Sequence, residues 1–102
     1  MIIPAIIPIT IHDVEEKVAL VKGHVGRVQV DVADGYFAPN KTWPIINTNG
    51  FVDIVAGRSR LPFHTEIEYE IHLMVQDPME KVNEWIAAGP QSQIPRLYFL
   101  TP

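Results

Sequence analysis

Apolar positions recur with two different periods along the 102-residue chain, and the change of period marks its elements. Val28, Val30 and Val32 alternate with Gln29, Asp31 and Ala33, the period of a β-strand, and Gly35 closes the run. A strand sets residues i and i+2 on one face, so Gln29, Asp31 and Ala33 share a side opposite the valines. Before it, Ile11, Val14, Val18 and Val21 recur at helical spacing while Glu15, Glu16, Lys17 and Lys22 point to water. Thr10 and Asp13 form a near capping box at the start of that helix, and Gly23 is expected to supply its left-handed stop. Ile2 to Ile7, a continuous apolar run bounded by prolines, reads as a strand buried on both faces of a parallel sheet. The second strand then covers Val25 to Val32.

Asp34 to Arg60 is broken repeatedly by Pro39, Pro44, Asn47, Asn49 and Gly50, with a short helix around Phe51 to Ala56. Long irregular connections carry function more often than regular ones, and this one starts where the valine strand ends. Ile67 to Val75 is a third strand. Asp77-Pro78 with Glu80 starts a helix whose buried stripe is Val82, Trp85 and Ile86 and whose end is expected at Gly89. Ile94 to Leu100 is a fourth apolar segment. Strand and helix therefore alternate, which predicts an α/β fold with a parallel sheet and helices outside it. Sequential order of this kind also begins a (β/α)8 barrel, in which the C-terminal strand ends carry the chemistry.

Composition narrows the reading. Hydrophobic residues make up 47% of the chain, enough for a core, and the length suits one small domain or part of a larger one. There is no cysteine, which removes disulfides and thiolate sites and suits a reducing, cytoplasmic setting. A net charge of −4 with scattered Lys and Arg argues against a nucleic-acid partner. Met1 to Pro8 has no positive flank and is too short for a signal or membrane span, and nothing later reaches that length.

Asp31 draws attention because a carboxylate inside an apolar strand needs a partner, a metal or a reaction. His72, between Ile71 and Leu73 on the third strand, can share a ligand with it if the two strands belong to one sheet. Asp34-Gly35 is equally a turn dipeptide. His12, His24 and His64 read as surface residues, Trp43 and Trp85 as packing groups, and Lys41 as a solvated loop residue.

The stretches VDVADGYFAPN, Val30 to Asn40, and EIHLMVQDP, Glu70 to Pro78, resemble the ribulose-phosphate 3-epimerases, and the similarity runs from about Ile2 to Gly89. The resemblance implies a (β/α)8 TIM barrel, of which about the first four βα units are expected here as a half-barrel: residues 1–102 as a single partial domain, with 90–102 a divergent tail. It implies an isomerase that moves a proton at C3 of a pentulose 5-phosphate, interconverting ribulose and xylulose 5-phosphate, with a sugar phosphate as its small-molecule partner. It further implies a divalent metal of the Zn, Fe, Mn or Co class. On the matching positions, Asp31 is acid/base and metal ligand, His72 a metal ligand, Met74 a pocket residue beside the substrate, and Asp34 with Gly35 the substrate-side turn. Gln29 stands where the family has a second metal histidine, Ala33 where it has a methionine, and Ala5 where it has a substrate-contacting serine. A catalytically inactive homologue that binds a sugar phosphate or serves in assembly is the alternative. A half-barrel would also leave sheet edges and an inner face uncovered. Leaving ~400 Å² of apolar surface wet forfeits on the order of 10 kcal/mol, which predicts self-association or a missing C-terminal half.

Overall fold

The computed structural model describes residues 2–37, 39–92 and 96–99. Its elements run β1 (Ala5–Ile6), α1 (Ile11–Val21), β2 (Arg27–Ala33), α2 (Phe51–Val55), β3 (Glu68–Met74), α3 (Pro78–Ser92) and β4 (Arg96–Phe99). All the strands are parallel, in the order β1-β2-β3-β4. The predicted α/β alternation is therefore observed. Residues 93–95 and 100–102 of the expected tail, and Ala38 of the loop, lie outside the described residues.

Helix α1 begins as its sequence dictates. Asp13 N donates to Thr10 Oγ1 at 3.2 Å, while the amides of Ile9 and Thr10 donate to Asp13 Oδ2 at 2.9 and 3.3 Å, so the capping box is complete. Its end differs from the expectation. Gly23 is not left-handed; the amides of His24 and Val25 both bond the Val21 carbonyl, and this turn ends the helix.

The core lies between the sheet and the helices. Val14 and Val18 of α1, Phe51 and Ile54 of α2, and Trp85 and Ala88 of α3 join Val28, Val30 and Val32 of β2 and Tyr69, Ile71 and Leu73 of β3 in one buried cluster. Trp43 is fully buried there, edge-on to Phe51 and Trp85, and its indole N–H donates to Asn49 O at 2.9 Å, so it is a packing group.

Three expectations are corrected. Strand β1 is only two residues long, and the apolar run around it is not buried on both faces: Ile2 is 81% and Ile7 51% exposed. It is an edge strand paired with β2 alone, and Pro4 and Pro8 have no amide with which to extend the ladder. On α3, Ile86 is 59% exposed and the core-facing stripe is the buried Trp85 and Ala88 with the partly buried Val82, because position 86 stands about 100° around the helix from 85. The same helix runs past Gly89 to Ser92, although Pro90 removes one rung of its hydrogen-bond ladder.

Candidate functional site

The register of β2 on β3 creates the site. Arg27 pairs with Glu68, Gln29 with Glu70, Asp31 with His72 and Ala33 with Met74. Parallel strands in this register put all eight residues on the face opposite the valine core. Alternation along either strand predicts the face, but only the register decides which residues meet across it.

Asp31 and His72 are brought together near the C-terminal ends of their strands. His72 Nδ1 lies 3.5 Å from Asp31 Oδ1, and their side chains are 19% and 13% exposed. Gln29 Nε2 donates to the same Asp31 oxygen at 2.6 Å. The carboxylate is thus held from two sides and still reached by solvent. Met74, half-buried, is one register step beyond His72 on the same face, beside the buried Ala33.

Asp34 has a different task. Its Oδ1 accepts from Tyr36 N at 2.9 Å and its Oδ2 from Gln76 N at 3.0 Å, while Gly35 adopts φ 92°. This is an Asx turn that ties the end of β2 to the segment after β3. It shapes the rim of the site. Lys41 is exposed and bridges back to Asp34. His12 and His24 are exposed and His64 is half-buried.

Thr42, Arg27, Glu68 and Glu70 also belong to this region, although no motif singles them out. Thr42 is fully buried; its Oγ1 accepts from Ala33 N at 3.0 Å, and its amide donates to Ala33 O at 2.9 Å, so the loop is pinned across the end of β2. Arg27 Nη2 and Nη1 each lie 3.1 Å from a carboxylate, Glu68 and Glu70 respectively, and Glu70 is only 3% exposed. Hydrogen bonds to Glu68 and then Glu70 push the Arg27 pKa up from its already high value. The spacing Arg27-x-Gln29-x-Asp31 against Glu68-x-Glu70-x-His72 is the available signal: a polar or charged side chain on every second residue of both strands.

A divalent cation finds an incomplete set here. Asp31 and His72 offer two suitable donors, and among the described residues no group of three His, Cys, Asp or Glu could hold a metal. The third side chain at hand, Gln29, presents its amide nitrogen to Asp31, and an N–H cannot ligate a cation. The residues described do not make a divalent-metal site.

Residues 1–95 match the family model of the ribulose-phosphate 3 epimerases. The chain belongs to the ribulose-phosphate 3-epimerase family. No curated protein and no solved structure matches it. The family is metal-dependent as a rule, and among the described residues no such metal site is formed. A hollow lined by Ile2, His24, Val25, Gly26, Arg27 and Glu68 lies at the opposite strand ends from Asp31 and touches none of Gln29, Asp31, Asp34, His72 and Met74. Among the described residues no helix is long and apolar enough to cross a membrane.

Proposed function

We propose that the chain contributes one face of a sugar-phosphate epimerase site, with Asp31 as the group that exchanges a proton at C3 of a pentulose 5-phosphate. The observation that carries this reading is the Asp31–His72 pair, held at 3.5 Å at the C-terminal ends of adjacent parallel strands. In the proposed step the C3–H bond breaks toward the Asp31 carboxylate, and its electron pair forms a C2–C3 double bond as the C2 carbonyl becomes an enediolate. Returning a proton to C3 restores the ketone. Inversion needs a second acid on the opposite face of the enediolate, whereas isotope exchange needs Asp31 alone.

The strand order and the single helix-side core are consistent with the opening part of a (β/α)8 barrel acting in pentose phosphate metabolism, and we place the protein in the cytoplasm. The same reading has the sheet edges covered by self-association or by further strands. The exposed Ile2, Ile7 and Ile9 around β1 support it. A sedimentation series should show mass rising with concentration, and a monomer throughout would refute self-association.

A second reading is favoured by Gln29: a non-catalytic relative that binds the sugar phosphate. Incubation with ribulose 5-phosphate in D₂O separates the two. Epimerase chemistry predicts deuterium at C3 by NMR, reduced by about 10²- to 10⁴-fold in Asp31→Asn, which still accepts from Gln29. Binding without exchange in the parent chain supports the binder.

A further inference from the structure

The inner face of β2 and β3 contains four acids, Asp31, Glu68, Glu70 and, at its rim, Asp34, so a cation site could in principle be assembled there. Three of them are tied up away from Asp31. Glu68 and Glu70 meet Arg27, and Asp34 accepts from the amides of Tyr36 and Gln76. Glu70, the register partner of Gln29 and the carboxylate best placed to supply a further ligand, is nearly buried against the guanidinium. That leaves Asp31, His72 and Gln29 as the cluster. Turning the Gln29 amide over would still contribute only a neutral oxygen, a weak ligand for a transition metal. In the orientation present, its N–H does to Asp31 what a cation would do: it holds one carboxylate oxygen and offsets its charge.

We propose that Gln29 stands in place of the divalent cation, so that Asp31 and His72 work as a metal-free acid–base pair whose carboxylate is positioned by the Gln29 amide. This rests on the epimerase reading and deepens it. A carboxylate bound to a divalent ion is a poor base, because the cation stabilises its charged form. An amide N–H orients the same oxygen with a weaker effect on its basicity. Gln29 is therefore a positioning residue, acting through Asp31.

The test uses the full chain, dialysed against chelator and titrated with Co²⁺ alone, read by visible absorption and calorimetry. Saturable binding is expected to be absent in the parent protein and to appear, with Co²⁺ absorption bands, in Gln29→His, which completes a three-donor set. Stoichiometric Co²⁺ binding by the parent chain, lost in His72→Ala, would overturn the inference. Should Gln29→His fail to fold, the titration of the parent protein and of Gln29→Glu still decides. In the exchange assay, C3 deuteration that survives chelator is expected, and Gln29→Ala should lower kcat with little change in KM. Exchange abolished by chelator and restored by metal would overturn the metal-free reading while leaving the epimerase reading intact. No exchange under either condition would remove the epimerase reading, and the Co²⁺ titration would still answer the question about Gln29.

Discussion

The two faces of strands β2 and β3 are built on different physics. Toward the helices stand Val28, Val30, Val32, Tyr69, Ile71 and Leu73, all at 0% exposure. On the other side, at the same register, stand Arg27, Gln29, Asp31, Glu68, Glu70 and His72, joined in chains of hydrogen bonds and ion pairs. The first face is held by burial, which has no direction and adds up residue by residue. The second is held by partners, so the worth of each group depends on another. The face opposite the helices is polar along β2 and β3, and the exposed apolar surface at this edge of the sheet falls around β1, at Ile2, Ile7 and Ile9.

The largest expected effect breaks the apolar face. Ile71→Ala removes a fully buried side chain from the core cluster that includes Trp85 and the valines, and should destabilise the fold by about 2–5 kcal/mol in urea denaturation followed by circular dichroism. Combining it with truncation of Val28 on that face should deepen the loss, since neither aliphatic side chain depends on a specific partner. A loss under about 1 kcal/mol would mean that the helices do not pack on this face as described.

The polar face should respond in the opposite manner. Arg27→Met leaves Glu70 buried without its ion, and Glu70→Met leaves the guanidinium facing Glu68 alone, so each single change should lower the urea midpoint, by less than Ile71→Ala. The double change should recover much of the loss, because two well-packed apolar groups replace a desolvated pair. Additive losses in that cycle would show that the two residues act independently and that the ladder is not a coupled network.

This contrast explains what could be read from the sequence. Burial leaves a periodic trace, so strands β2 and β3, helix α1 with its capping box, and the valine face are all visible in the order of residues. Asp31 stands out because it interrupts that trace, and His72 because it occupies the matching phase of the next strand. Cross-strand partners leave no such trace. The Arg27–Glu70 pair and the Gln29–Asp31 bond depend on a register that no single strand encodes, and Thr42 is buried only because its loop folds back over Ala33. Helix ends are poorly marked for a related reason: Gly23 and Gly89 have the right chemistry for a stop, but the surrounding backbone ends or continues each helix by other means. The run around β1 is partly exposed despite its apolar residues because apolarity sets what a strand would gain from cover, and position at the sheet edge sets what it receives.

The smallest effect lies where the two kinds of physics meet, at Tyr69, the polar residue of the apolar face. Its ring is fully buried and its hydroxyl donates to the Pro62 carbonyl. Burial pushes the phenol pKa up, because the charged form would be desolvated. A group whose folded pKa lies above its unfolded value contributes stability that is fully present below the unfolded pKa, about 10 for tyrosine, and is lost as pH rises toward the folded one. At neutral pH, Tyr69→Phe should cost only about 1 kcal/mol, the worth of one hydrogen bond and its abandoned carbonyl. Above about pH 10 the parent chain should lose stability more steeply than the variant, since its unfolded state releases a proton that its folded state keeps. Lysines titrate in both proteins and cancel in the difference. Unfolding curves collected from pH 8 to 11 check this, and parallel loss in the two proteins would mean that Tyr69 ionises in place, against the sealed apolar face on which the comparison rests.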